Sequence, residues 1–391
     1  MTNPTPTILI VDDSRVNIAL LKEILNQYHI IAAHNGLDAI EIAAQEPMPD
    51  LILLDVMMPG IDGYEVCRRL KQNAKTSDIP VVYITAQIEA ENIIKGFESG
   101  AIDYISKPFK IPELKARVKT QLAIKQANDQ NEILIEKIEE INKKLTDSIA
   151  YAEKIQNASF PKIEYLNKVM PEYFVLLKPR DIVSGDFYWV YKVDNKLVVV
   201  AVDCTGHGVP GAIMSVFGIT FLRAIIEIRR EINPATILNE MRRLVIDALQ
   251  QTEESEIKDG MDMSIVTIDA DTSTLEFAGA FNPAYIIRNN RLIELEADSM
   301  PVSYGEINQS FSCKSFEYQP GDCLYLFSDG FASQFGGPKN KKLKQMGFRE
   351  MLLNNHSLSM NLQYEAYKCY FDEWMGANEQ IDDVLLMGMR L

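Results

Sequence analysis

Carboxylates recur in this 391-residue chain where an apolar run gives way to a loop. Asp12 and Asp13 follow Thr7-Ile8-Leu9-Ile10-Val11, and Asp55 follows Asp50 to Leu54. Thr85 follows Ile79 to Ile84, and Lys107 follows Ala101 to Ile105. If these runs are neighbouring strands, one rim gathers three carboxylates, a hydroxyl and an ammonium. Two like charges about 4 Å apart repel by about 4 kcal/mol at an effective dielectric of about 20. A divalent cation relieves that repulsion, and oxygen-only ligands favour Mg²⁺. A carboxylate beside Mg²⁺ is a competent nucleophile toward a phosphoryl group. Thr85 and Lys107 are then placed to hold the phosphoryl oxygens.

A second acidic set lies in the other half. Asp186 follows Val183-Ser184-Gly185 and opens a strand. Asp203 ends Val198 to Val202 and begins Asp203-Cys204-Thr205-Gly206-His207-Gly208. Asp329 follows Leu324 to Ser328 and precedes Gly330, and Asp382-Asp383 opens the run Val384 to Met389. Glycine beside the first three lets the backbone approach a ligand closely. Carboxylates without a cysteine or histidine cluster suit Mg²⁺ or Mn²⁺. Two such ions lower the pKa of a bound water from about 15.7 toward about 7, giving a hydroxide able to attack a phosphate ester. The chain has no Cys-x₅-Arg sequence of the kind that cysteine phosphatases use.

The elements that must position these groups fall into three stretches. Over 7–120 short apolar runs alternate with helical patterns, the signature of a parallel sheet covered on both faces. An α/β doubly wound, flavodoxin-like sheet of order 2-1-3-4-5 is expected, with ligands at the strand C-termini. Over 121–160 a helical linker is expected, part of one long helix that begins near 111 and ends at Pro161. Leu134, Ile138, Ile141, Leu145, Ala152 and Ile155 recur in steps of three and four, with Ser148 filling one slot. That is a heptad seam suited to a second copy of the chain. Over 161–391 strands, turns and helices mix as an α+β layered β-sandwich flanked by helices.

Hydrophobic residues make up 47% and charged residues 24%, enough for two cores. The net charge of −16 disfavours a nucleic-acid partner. Lys339, Lys341, Lys342 and Lys344 read as a solvated loop. Five cysteines without a C-x-x-C pair fit a reducing cytoplasm. The polar start, Met1 to Thr7, is unlike a signal peptide. The longest apolar runs look strand-length, so no membrane partner is expected.

The first stretch resembles the CheY-like receiver family. The resemblance rests on Ile10-Val11-Asp12-Asp13-Ser14, Leu54-Asp55-Val56-Met57-Met58-Pro59-Gly60-Ile61-Asp62-Gly63, Ile84-Thr85-Ala86 and Asp103-Tyr104-Ile105-Ser106-Lys107-Pro108-Phe109. It implies that Asp55 accepts phosphate from a cognate histidine kinase. Asp12, Asp13, Asp55 and the Met57 carbonyl would bind Mg²⁺. Thr85 and Tyr104 would form the switch pair, acting on a face near Gln87 to Ser99. Lys107 would contact the phosphoryl group, and the Lys107–Pro108 bond would be cis.

The last stretch resembles the SpoIIE-like branch of the metal-dependent (PPM) protein phosphatases. Ser184-Gly185-Asp186-Phe187-Tyr188, Asp203 to Ala212, Ser328-Asp329-Gly330 and Asp382-Asp383-Val384 carry it. The resemblance implies two Mn²⁺ or Mg²⁺ ions bridged by Asp203, with the Cys204 carbonyl nearby. Asp186 would bind one ion, and Asp329 and Asp382 the other; Asp383 is the lesser candidate of its pair. Leu385 stands where the branch more often has threonine. His207 and Arg180 read as a loop histidine and a surface arginine. The substrate would be a phosphoserine or phosphothreonine protein, often a STAS-type anti-sigma-factor antagonist in that branch. The alternative is a degenerate phosphatase domain that binds a partner under receiver control.

Overall fold

The computed structural model describes residues 5–86, 90–255, 258–305 and 309–391. The chain divides into two compact units, residues 1–142 and 143–391.

In the first unit β1 (Thr7–Val11), α1 (Arg15–Ile24), β2 (His29–Ala33), α2 (Gly36–Ala43), β3 (Leu51–Asp55), α3 (Gly63–Gln72), β4 (Val81–Thr85), α4 (Ala90–Glu98) and β5 (Asp103–Ser106) alternate strictly. The sheet is parallel, with order β2-β1-β3-β4-β5. β1, β3 and β4 are buried at every residue, as strands covered on both faces must be. Ser14, Asn35 and Asp62 cap α1, α2 and α3 by accepting a backbone N–H three residues on. These caps turn the chain at the rim where the acidic residues sit. The doubly wound expectation holds. Gln87 lies outside the described residues.

α5 (Ile111–Ser159) is one unbroken helix of 49 residues. It shows no break near 120, and the two units part inside it, between Asn142 and Lys143. Residues 131–148 are all exposed, including Leu134, Ile138, Ile141 and Leu145.

The second unit continues with α6 (Ile163–Val169), β6 (Tyr173–Lys178), β7 (Phe187–Val193), β8 (Lys196–Cys204), α7 (Gly208–Leu222), α8 (Pro234–Leu249), β9 (Met261–Asp269), β10 (Thr274–Ala280), β11 (Ala284–Arg288), β12 (Arg291–Leu295), β13 (Lys314–Glu317), β14 (Cys323–Phe327), α9 (Gly330–Ser333), β15 (Phe335–Gly336), β16 (Lys341–Lys342), α10 (Lys344–Asn355), α11 (Met360–Met375) and β17 (Val384–Arg390). Two antiparallel sheets result, β13-β10-β9-β8-β7 and β12-β11-β14-β17-β6. Val199, Val266 and Phe277 of one meet Ile286, Leu326 and Met387 of the other. Helices α7 and α8 cover the outer face of the first sheet, and α10 and α11 that of the second. Asn289-Asn290, both at positive φ, close the β11–β12 hairpin in the way a two-residue loop demands.

Two sequence expectations need correction. The basic stretch is not wholly loop: Lys341 and Lys342 form β16, and Lys344 starts α10. Apolar runs are not all strand-length either. Gly208–Ile228, α7 with its π-helical continuation Arg223–Ile228, is long and apolar enough to cross a membrane by length and composition. Its Met214, Ile219, Leu222, Ile225 and Ile226 are buried against the first sheet. Its apolar character therefore has a core to serve.

Candidate functional site

At the receiver rim, carboxylate oxygens of Asp12, Asp13 and Asp55 lie within 4.8 Å of one another. Asp12 is fully buried, Asp55 is buried and Asp13 is exposed. Asn17 Nδ2 donates to both Asp12 oxygens, at 3.0 and 2.9 Å, and the Ser14 N–H donates to one at 2.8 Å. Lys107 Nζ reaches from the end of β5 to Asp12 Oδ2 at 2.9 Å and Asp55 Oδ2 at 2.8 Å. Burial raises the Asp55 pKa, Lys107 opposes this, and Asp12 adds to it. Burial disfavours the Lys107 ammonium, but its two carboxylate partners outweigh that and raise its pKa. The Met57 N–H donates to Asp55 Oδ1 at 3.4 Å. Thr85 is buried at the end of β4. Tyr104, on β5, is registered with Tyr83 rather than with Thr85, and its ring lies 5.6 Å from the Arg117 guanidinium. The Lys107–Pro108 bond is cis.

The second acidic set is assembled from four chain segments. Asp186 precedes β7 and is buried; it accepts from Ser328 Oγ at 2.5 Å. Ser328 Oγ in turn accepts from the Leu385 N–H at 2.9 Å, and the Ser328 N–H donates to the Leu385 carbonyl. Leu385 thus serves the site through its backbone, while its side chain is buried between the sheets. The departure from threonine leaves this arrangement intact.

Asp383 is buried and acts on the backbone. Its Oδ1 accepts from the Arg180 N–H and its Oδ2 from the Gly185 N–H, both at 2.7 Å. These bonds occupy both oxygens and leave Asp382 as the freer of the pair. A Cβ on Gly185 would stand 2.7 Å from the Gly206 carbonyl and 3.4 Å from that of Cys204, so glycine lets the Asp186 and Asp203 loops touch. Gly330 likewise lies against the Asp383 carbonyl and draws the Asp329 segment to the last strand.

Electrostatics show how these aspartates bear on one another. Burial first, then the Asp203 charge, drive the Asp186 pKa well above the usual carboxylate range. Asp203 is raised by burial and then by Asp329, Asp382 and Asp262. Asp382 is raised by burial, with Asp329 adding to it. Neither Asp186 nor Asp203 has a lysine or arginine in ion-pair contact among the described residues. Such a set fits divalent cations, which supply the missing positive charge through oxygen ligands. The four aspartates do not close into a group as tight as the receiver triad.

His207 Nδ1 lies 2.9 Å from Asp181 Oδ2, both half-exposed, and Arg180 donates to the Ile381 carbonyl. Asp262 escaped sequence reading. It lies on β9 directly opposite Asp203 on β8. Burial, with Asp329 adding, pushes its pKa up to about 6. Its one sequence signal is a lone acid among the apolar residues of Met261 to Ile268.

Together the two folds define a class: a response-regulator receiver joined to a phosphatase domain of the PP2C type. Residues 8–119 match the response regulator receiver domain, and residues 193–391 match Stage II sporulation protein E (SpoIIE). The chain belongs to the SpoIIE family. Among solved structures it is similar to the SiaA-PP2C domain of Pseudomonas aeruginosa, with 30% identity and a TM-score of 0.60, over 64% of this chain and 98% of that one. A probable cyclic di-GMP phosphodiesterase of Vibrio cholerae is 50% identical over 124 residues, 32% of this chain and 28% of that protein. The DNA-binding dual master transcriptional regulator RpaA of Synechocystis is 33% identical over 203 residues, 50% of this chain and 83% of that protein. This chain therefore spans less than a third of the first of these relatives and most of the second.

Proposed function

We propose that the chain is a metal-dependent protein serine/threonine phosphatase whose activity is set by phosphorylation of Asp55 by a histidine kinase in the cytoplasm. The observation that carries the reading is the juxtaposition of buried Asp186 and partly buried Asp203, whose loops touch where Gly185 lies against the Gly206 and Cys204 carbonyls, with no lysine or arginine paired to either aspartate among the described residues. Such a cluster costs stability by itself, and a bound cation would offset that cost.

Asp186, Asp203, Asp329, Asp382 and the Cys204 carbonyl would hold two Mn²⁺ or Mg²⁺ ions. When bound, the ions supply a water acidified enough to act as nucleophile. The chain's own residues do the positioning. Ser328 holds the Asp186 carboxylate, and Asp383 fixes the loop before it through the Gly185 N–H. In the receiver, Asp12 and Asp13 with the Met57 carbonyl would hold Mg²⁺ beside Asp55. Lys107 already spans Asp12 and Asp55 and is placed to meet a phosphoryl oxygen. Thr85 and Tyr104 would report its arrival.

The substrate would be a phosphoserine or phosphothreonine protein, with STAS-type antagonists as first candidates. The exposed seam of α5 favours a homodimer, because four large apolar residues at heptad spacing face solvent in a single chain. The test is p-nitrophenyl phosphate hydrolysis with Mn²⁺ or Mg²⁺ by wild type and Asp203→Asn, each with and without a phosphoryl donor. Metal-dependent turnover that Asp203→Asn lowers more than about 100-fold is expected, exceeding the roughly 10–100-fold losses seen when a partner of a metal ligand is removed. No turnover in the wild type would favour a partner-binding module instead.

A further inference from the structure

Gln156 is 3% exposed, on a helix whose residues 131–148 are all exposed. Its amide is fully engaged across the fold. Nε2 donates to the Ser184 carbonyl at 2.6 Å and to Ser215 Oγ at 2.7 Å. Oε1 accepts from the Ser184 N–H at 3.1 Å. The side chain thus pairs with both peptide groups of Ser184, two residues before Asp186. Ser215 lies on α7, the helix that follows the Asp203 loop, and donates to the Ala212 carbonyl at 2.8 Å. A Cβ on Gly211, one turn earlier, would run into the Gly206 carbonyl oxygen and stand 2.8 Å from the Gly185 Cα, so this turn of α7 packs directly on both loops. One amide therefore ties the end of α5 to the loop that delivers Asp186 and to the helix that follows the Asp203 loop.

The preceding residue makes the arrangement directional. Ile155 belongs to the heptad seam and is 52% exposed, whereas Gln156 points into the domain. Residues one apart on a helix diverge by about 100°. Re-pairing of the seam rotates both together. A rotation of about 20°, the drift of one heptad, carries a group about 6 Å from the axis through about 2 Å. That is enough to break all three bonds. A buried apolar residue would fill the space equally well but would tolerate rotation, because hydrophobic contact is non-directional.

We propose that Gln156 is a positioning residue through which rotation of α5 sets the divalent-cation affinity of the Asp186–Asp203 site. The proposal rests on the metal-site reading above. The test uses the full chain and isothermal titration calorimetry with Mn²⁺, following the binding that Asp203→Asn abolishes. Wild type, Gln156→Leu and Gln156→Glu are compared with and without a phosphoryl donor. Leucine keeps the volume and loses all three bonds; glutamate keeps the acceptor and sets a second oxygen against the Ser184 carbonyl. Both variants should bind Mn²⁺ at least tenfold more weakly and lose the dependence of affinity on the donor. Ser215→Ala, which deletes one bond, should give a smaller loss in the same direction and carries the test if Gln156→Leu does not fold. Wild-type affinity in Gln156→Leu and Gln156→Glu, or a wild type indifferent to the donor, overturns this proposal alone. A wild type that binds no Mn²⁺ through Asp203 overturns the metal-site reading and this proposal with it.

Discussion

Asp203 and Asp262 stand directly opposite each other in the antiparallel register of β8 and β9. Both are partly buried, their charges repel, and burial with Asp329 adding pushes the Asp262 pKa up to about 6. A carboxyl whose folded pKa exceeds its unfolded value stabilises the protein below the unfolded pKa. That contribution is lost as pH rises through the folded one. For Asp262 the window runs from 3.8 to about 6, and the loss amounts to about 3 kcal/mol at neutral pH. In excess chelator, the melting temperature should therefore fall between pH 4 and pH 7 by several degrees. Asp262→Asn should make that fall shallower, with Asp186, Asp203 and Asp382, also raised, still contributing. A chelated Asp262→Asn protein with the wild-type pH dependence would assign the fall to other groups.

Ser328 links Asp186 to the last strand, with its hydroxyl donating to the carboxylate and accepting from the Leu385 N–H. Ser328→Ala removes both bonds. Metal affinity should drop about 10–100-fold, as for other residues that orient a ligand. Stability should fall by about 1–3 kcal/mol, because a buried N–H is left unpaired. Calorimetric Mn²⁺ titration and urea unfolding measure the two separately. Unchanged affinity would reduce Ser328 to a packing residue.

At the other site, Asp55, the proposed acceptor, and Asp12 share the Lys107 ammonium at 2.8 and 2.9 Å. Incubation with a radiolabelled small phosphoryl donor should label the wild type and leave Asp55→Asn unlabelled. Donor treatment should also cease to alter metal-dependent hydrolysis in that variant. Retained label in Asp55→Asn would move the acceptor elsewhere.

The seam of α5 exposes Leu134, Ile138, Ile141 and Leu145 by more than half. Replacing all four with serine should halve the mass measured by light scattering. It should also uncouple hydrolysis from the phosphoryl donor, since the helix would have no partner to re-pair with. Coupling that survives in a monomeric variant would exclude the linker as the route between the halves.

What could be read from the sequence was whatever depends on local order. Strand runs and the residues that end them are local, so Asp12, Asp55, Asp186, Asp203 and Asp329 were legible as strand-end carboxylates. The parallel sheet followed from uninterrupted apolar runs, and the unbroken helix from a stretch lacking glycine and interior proline. The apolar content of α7 was misjudged, because a helix packed beneath a sheet is as apolar as a strand and periodicity fades when both faces carry such residues.

Tertiary structure decided everything that depends on pairing across distance. Asp262 became part of the acidic set only because β9 lies beside β8 in one register, 59 residues after Asp203. Asp383 became a backbone holder and Leu385 a backbone donor because the last strand returns beside Ser328 and Gly185. Gln156, an ordinary polar residue in a helical run, acquired its role from Ser184 and Ser215, 28 and 59 residues away. Hydrophobic patterning specifies which elements form. Which polar atoms meet is set by register and layer packing, where a shift of one residue would exchange every partner.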